Sequence, residues 1–117
     1  MKILMPKVSV ILISYNHEKF IREAIESVLN QTFTDFELII WDDASSDDSW
    51  AIINSYNDSR IKAFLNDETR RGIYGINKAI SEVASGEYLA IHHSDDVWAS
   101  EKLQKQVGFL DANPIYG

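Results

Sequence analysis

Cysteine is absent from the 117 residues, which removes disulfides and thiolate chemistry and leaves the redox compartment undetermined. Proline occurs twice and glycine five times, too few for a collagen-like or low-complexity chain. No apolar run approaches the ~20 residues that a membrane-spanning helix requires. The opening Met1-Lys2-Ile3-Leu4-Met5-Pro6-Lys7 is too short, and too soon interrupted by proline, for a signal peptide. Basic residues are the minority, 11 Lys and Arg against 18 Asp and Glu, for a formal charge of −7. That balance argues against nucleic acid, whose phosphates demand a basic face. Glycine-rich phosphate loops are missing too: no G-x-G-x-x-G follows the first apolar run, and no G-K-[ST] occurs. Ordinary dinucleotide and P-loop enzymes are therefore disfavoured. No Ser-His-Asp or Cys-His arrangement stands out either. What is present is 45% apolar and 25% charged residues, the balance of a soluble globular domain with one core over residues 1–117. A cytoplasmic setting is the default expectation.

The chain alternates strand and helix. Val8 to Ile13 is a compact β-branched run of the kind buried in parallel sheets. Phe20, Ile21, Ala24, Ile25, Val28 and Leu29 then recur at one-turn spacing, predicting an amphipathic helix that closes near Asn30-Gln31. Phe36 to Trp41 supplies a second strand. The Ala44-Ser45-Ser46-Asp47-Asp48 run offers cap hydroxyls and first-turn acids to a second helix with Trp50, Ile53 and Tyr56 inward. Arg60 to Leu65 is a shorter third strand containing Lys62, and the polar stretch from Asn66 to Gly75 is a loop. Ile76 to Ala84 predicts a third helix capped by Gly86, Glu87 to Ile91 a fourth strand, and Leu103, Val107 and Leu110 a fourth helix. Ile115-Tyr116-Gly117 reads as entry into another strand, as in the first part of a longer enzyme. The expected fold is α/β, a Rossmann-like open parallel sheet with helices on both faces. Its unpaired edge offers a route to a homodimer.

Acid pairs stand at two strand ends, Asp42-Asp43 after Trp41 and Asp95-Asp96 after His92-His93-Ser94. Ligands of open parallel sheets bind beyond the carboxyl ends of the strands. Four carboxylates there repel one another unless a cation or a donor-rich ligand compensates them. A plainer reading makes one aspartate of Asp42-Asp43 a helix cap and the other a solvated acid. The functional reading has one of them accept from a base or ribose donor. Adjacent Asp95 and Asp96 suit a hard cation whose shell phosphate oxygens and waters complete. His93 with an aspartate would invite zinc or iron, but three-ligand spacing is absent. His92 is expected to point into the sheet or pack against a loop. Arg70-Arg71 is either a solvated basic pair or a fork-shaped diphosphate clamp, and Tyr15 either packs or stacks on a planar base.

Several motifs together carry a resemblance. Val8-Ser9-Val10-Ile11-Leu12-Ile13-Ser14-Tyr15-Asn16, Ser27-Val28-Leu29-Asn30-Gln31-Thr32 and Glu37-Leu38-Ile39-Ile40-Trp41-Asp42-Asp43-Ala44-Ser45-Ser46-Asp47 are similar to glycosyltransferase family 2. Gly72, Asn77, Ala79-Ile80, Gly86-Glu87-Tyr88 and Ser94-Asp95-Asp96 keep that family's order. The resemblance implies the nucleotide-binding half of a GT-A fold and inverting transfer from a nucleoside-diphosphate sugar, with uridine the expected base, to a saccharide or lipid-linked acceptor. By position, Tyr15 and Asp43 would hold the base, with Asp42 nearby. One of Arg70 and Arg71 would face the diphosphate. Asp95 would bind ribose or metal, and Asp96 would ligate Mn2+ or Mg2+. Many members have an aspartate where this chain has His93. The catalytic base is expected downstream of Gly117, and membrane association would belong to the full-length protein. By analogy the setting is bacterial surface-polysaccharide assembly. The alternative is a non-catalytic nucleotide-sugar-binding module. A phosphoacceptor signalling domain is disfavoured, because the first strand ends in Ser14-Tyr15-Asn16 rather than an acid pair.

Overall fold

The computed structural model describes residues 5–113. The expected entry into another strand at Ile115 to Gly117 lies outside the described residues. Four parallel strands form one sheet in the order β3-β2-β1-β4: β1 Val8–Ser14, β2 Phe36–Asp42, β3 Ile61–Leu65 and β4 Tyr88–His93. Between and after them run α1 Ile21–Leu29, α2 Ser49–Asn54, α3 Tyr74–Lys78, which continues as a π-helical turn over Ala79–Val83, and α4 Lys102–Ala112. The α/β architecture with helices on both faces is as the alternation predicts.

Both sheet faces are covered at the centre, which explains the unbroken apolar runs of β1 and β2. Val8, Val10 and Leu12 of β1, with Leu38 and Ile40 of β2, pack against α1, α2 and α4 through Ile25, Val28, Ile53, Leu103 and Val107. Ile11, Ile39 and Trp41 point the other way, onto Ala79 with Ile13, Phe64, Ile76 and Val83 around it. The period of two along each strand sorts these sets. Lys62, the charged residue within β3, finds a partner in Glu37 of β2 at 2.7 Å. Glu37 is 4% exposed and also accepts from Ser9 Oγ (2.5 Å) and from the Ser85 amide and hydroxyl (2.7 and 3.0 Å).

Several predicted boundaries move. Phe20 is exposed and precedes α1 rather than lining its inner face, packing edge-on against His17. α2 stops at Asn54, so Tyr56 reaches the core from beyond its end. Neither Ser45 nor Ser46 caps α2. Its Ser49 amide donates instead to Asp47 Oδ1 at 2.9 Å. β4 runs two residues further than predicted, through His92 and His93, because the β1 ladder continues opposite them at Leu12 and Ile13. Gly86 is not a left-handed cap, since the helical stretch ends at Val83 with Ala84 extended. It is required because a Cβ there would lie 2.5 Å from the Ser9 backbone nitrogen.

Candidate functional site

All four strands are parallel, so the segments after them emerge at one end of the sheet. These are Tyr15 to His17 after β1, Asp43 to Ser46 after β2, Asn66 to Gly72 after β3 and Ser94 to Val97 after β4. Strand order reverses at β1, which has β2 on one side and β4 on the other. That switch point is where open α/β sheets form their ligand crevice. Every positive-φ position among the described residues falls in these same segments: Asn16 (53°), Ala44 (55°), Arg71 (55°) and Gly72 (60°). Three of them carry a Cβ, and such conformations persist only where surrounding contacts enforce them, typically at functional sites.

The contacts that enforce them are on hand. Asp42 is fully buried, and its carboxylate accepts from the Ser45 amide (2.9 Å) and hydroxyl (2.7 Å). Ser45 Oγ in turn accepts the Asn16 amide at 2.9 Å, and Asn16 Oδ1 accepts the Ser46 amide at 2.8 Å. Asp42, next to Asp43 in the chain, therefore holds the β1 and β2 loops together. The plainer reading made one of the pair a helix cap, but neither acid caps α2, whose Ser49 amide donates to Asp47.

Asp43 is the half-exposed member. Its Oδ1 accepts from Asn66 Nδ2 (2.9 Å) and the Arg70 amide (2.7 Å), and its Oδ2 from the Arg71 amide (3.0 Å). Burial pushes this carboxyl up, but the Arg70 amide, Asn66, the Arg71 amide and the Arg70 charge outweigh it and hold it below its ordinary value. Asp43 is thus ionised at neutral pH, and the loop after β3 folds around it. Of the two arginines in that loop, Arg70 is engaged: its guanidinium pairs with Asp67 (3.2 Å) and Glu68 (3.6 Å) and lies 5.1 Å over the Tyr74 ring. The Arg71 guanidinium makes no such contact among the described residues. Tyr15, 45% exposed, presents its ring at the end of β1.

Across β1, residues His93 to Asp96 form a turn closed by the Asp96 amide on the His93 carbonyl at 3.0 Å. Asp95 and Asp96 are both exposed. One Asp96 oxygen accepts the Val97 amide at 2.9 Å, leaving the other oxygen and all of Asp95 free among the described residues. The turn is tied to the β1 loop by a short hydrogen bond between His17 Nδ1 and the buried Ser94 hydroxyl. His92 is buried against Trp98, ring centroids 4.4 Å apart, and burial pushes its pKa down to about 4. Its ring is neutral and packed inward among buried residues. No group of three or more His, Cys, Asp or Glu forms a metal cage among the described residues. The donor set nevertheless fits a hard cation such as Mn2+ or Mg2+: two neighbouring carboxylates supply oxygen, and a phosphate-bearing ligand with waters would complete the shell.

The topology thus gathers Tyr15, Asp43, Arg70, Arg71, Asp95 and Asp96 at one end of the sheet. Asn16, His17, Ser45, Asn66 and Ser94, which support them, escaped sequence reasoning. The available signal was their position within three residues of a strand end, and asparagine's tolerance of left-handed backbone at position 16.

An acid-rimmed switch point on a parallel sheet defines an α/β domain of the kind that binds nucleotides. The profile of glycosyl transferase family 2 matches residues 9–117, and the chain belongs to that family. It is 38% identical over 112 residues, 96% of this chain and 44% of the relative, to the Escherichia coli enzyme WfaP, a UDP-Glc:α-D-GlcNAc-diphosphoundecaprenol β-1,3-glucosyltransferase. Among solved structures it resembles an S. aureus TarS fragment in complex with UDP, with TM-score 0.83 and 33% identity over 91% of this chain and 32% of that one. It also resembles the Pyrobaculum calidifontis mannosyltransferase PcManGT in complex with GDP-Man and Mn2+, with TM-score 0.81 and 25% identity over 92% of this chain and 33% of that one. The chain spans less than half the length of WfaP. No described helix is long and apolar enough to cross a membrane.

Proposed function

We propose that this chain is the donor-binding part of an inverting, metal-assisted glycosyltransferase that takes a uridine-diphosphate sugar. Its acceptor is a hydroxyl of a saccharide or a lipid-linked carrier in the cytoplasm, in surface-polysaccharide assembly. The observation that carries the reading is an ionised Asp43 on one flank of β1 and the free Asp95-Asp96 pair on the other, at the switch point. In this reading Tyr15 stacks on the base, Asp43 accepts a base N–H, and the Arg71 guanidinium pairs with diphosphate oxygens in fork geometry. Asp95 and Asp96 would hold the cation, which when bound neutralises charge on the departing diphosphate. The TarS complex with UDP and the PcManGT complex with Mn2+ support the ligand classes. No residue of this site is assigned as the base that deprotonates the acceptor, so the isolated chain is expected to bind donor without transferring sugar.

Titration calorimetry tests this. UDP is expected to bind with Mn2+ present, several-fold more weakly without it, and to lose the metal dependence in Asp96→Ala. Absence of heat with wild type, or an unaltered Asp96→Ala titration, would overturn the assignment. Pairing of two copies along an exposed sheet edge belongs to the same set of proposals, and a sizing column reads it.

A further inference from the structure

Asn66 is the first residue beyond β3, and its side chain is fully used. Its Oδ1 accepts the Trp41 indole N–H at 2.8 Å, and its Nδ2 donates to Asp43 Oδ1 at 2.9 Å. An indole nitrogen only donates and an ionised carboxylate only accepts, so these two neighbours permit a single orientation of the amide. Trp41 is itself closely packed. It stacks on Phe64 at 4.7 Å and 19°, and even a Cβ on Gly75 of α3 would press within 3.1 Å of its ring. A rigid line of contact therefore runs from α3 through Trp41 and Asn66 to the Asp43 carboxylate.

Counting lone pairs gives that line a consequence. Each carboxylate oxygen accepts about two hydrogen bonds. Oδ1 of Asp43 already receives Asn66 Nδ2 and the Arg70 amide, whereas Oδ2 receives only the Arg71 amide. Oδ1 is saturated, and Oδ2 alone has room for a ligand donor. Uracil offers one ring N–H at its recognition edge. Guanine offers a ring N–H and an adjacent amino group, a pair that wants both oxygens of a carboxylate.

We infer that Asn66 is a positioning and specificity-determining residue, which fixes Asp43 as a single-point acceptor and so favours bases with one N–H donor over those with two. The inference rests on the donor-site reading above. Removing Asn66 frees a lone pair on Oδ1 and unlocks the carboxylate, so it should weaken uracil recognition while relieving the handicap against guanine.

The experiment is calorimetric titration of UDP and of GDP, each with Mn2+, into wild type, Asn66→Ala and Asn66→Asp. Asn66→Asp keeps the size and the Trp41 bond but replaces the donor with an acceptor. Expected for Asn66→Ala is a UDP affinity lower by about 5- to 10-fold with GDP unchanged or tighter, so that the UDP:GDP preference falls about tenfold. Asn66→Asp should lose UDP at least as much. Equal loss of both nucleotides in Asn66→Ala, or loss of neither, would overturn the inference. If wild type bound neither nucleotide, the donor-site reading would fail by itself. The positioning claim is then decided by the Arg70 and Arg71 amide proton resonances: they move in Asn66→Ala if Asn66 sets the Asp43 carboxylate, and their staying put refutes it.

Discussion

Gln31 is the side chain through which a single truncation should cost this fold most cleanly. It is 3% exposed, and its amide bridges α1 to α4. Its Nε2 donates to the carbonyls of Ser27 (2.9 Å) and Ala99 (2.7 Å), and its Oε1 accepts the Leu103 amide at 3.0 Å. That last contact is a cap supplied from a distance, because the Glu101 side chain makes no capping bond to α4 and the first amides of a helix have no partner within it. Gln31→Ala deletes all three bonds. Two hydrogen bonds at roughly 0.5–1 kcal/mol each, plus about 1–3 kcal/mol for a stranded buried amide, give a loss of about 3 kcal/mol. For a chain of this size that corresponds to a melting point lower by about 12 °C. Urea unfolding followed by circular dichroism reads it as a shifted midpoint at unchanged slope. Gln31→Glu keeps the acceptor but turns a carboxylate toward two carbonyls. It should be at least as unstable as the alanine variant at neutral pH and recover as acid protonates it. A loss below about 1 kcal/mol in Gln31→Ala, with no pH-dependent recovery in Gln31→Glu, would refute the bridging role. Functionally, the clip fixes the segment that leaves the Asp95-Asp96 turn.

Gly86→Ala would drive a Cβ to 2.5 Å from the Ser9 nitrogen and 2.7 Å from its hydroxyl, and thermal melting should show a loss of about 1–3 kcal/mol; an unchanged melt would contradict the close approach. Burial pushes the Glu37 carboxyl up, but Lys62, Ser9 and Ser85 outweigh it and hold it below its ordinary 4.5. Its native pKa thus lies below the unfolded one, so its contribution is complete above about pH 4.5 and lost as pH falls through the native value. The stability gap between wild type and Glu37→Gln should therefore close on acidification, and a gap constant from pH 7 to pH 3 would count against the network. Arg71→Ala should weaken UDP binding about tenfold and Arg70→Ala much less, because the Arg70 guanidinium is already committed to Asp67, Glu68 and Tyr74. Calorimetry giving the reverse order would assign the diphosphate to Arg70.

Much of the architecture was legible because β1 and β2 are buried on both faces and so appear as continuous apolar runs, with α1 carrying a clear one-turn stripe. What escaped notice lies where polar residues extend regular structure. His92 and His93 disguise the end of β4, whose length is set by its β1 neighbour rather than by its own composition. The π-helical turn at Ala79–Val83 depends on a backbone hydrogen-bond shift, Ala84 amide to Ala79 carbonyl at 2.7 Å, that side-chain periodicity does not encode. At the site, the strand-end positions of the acids were readable, but the division of labour between Asp42 and Asp43 was not. Both faces of β2 are covered, so alternation along the strand does not tell which carboxylate turns inward. The loop contacts of Ser45 and Asn66 decide it. Likewise Gly86 reads as a helix cap from its neighbours in sequence, while its cause is Ser9, a residue distant along the chain.

The account stands on one spatial claim, that a nucleotide and its cation occupy the rim where β1, β2, β3 and β4 end. Amide chemical-shift mapping of the labelled chain titrated with UDP and Mg2+ tests it directly. The account predicts shifts concentrated at Tyr15–Asn16, Asp43–Ser46, Asn66–Gly72 and His93–Val97, with the Glu37 and Ser85 end of the sheet unmoved. Shifts clustered at that opposite end, or none in the strand-tip loops at saturating ligand, would contradict it.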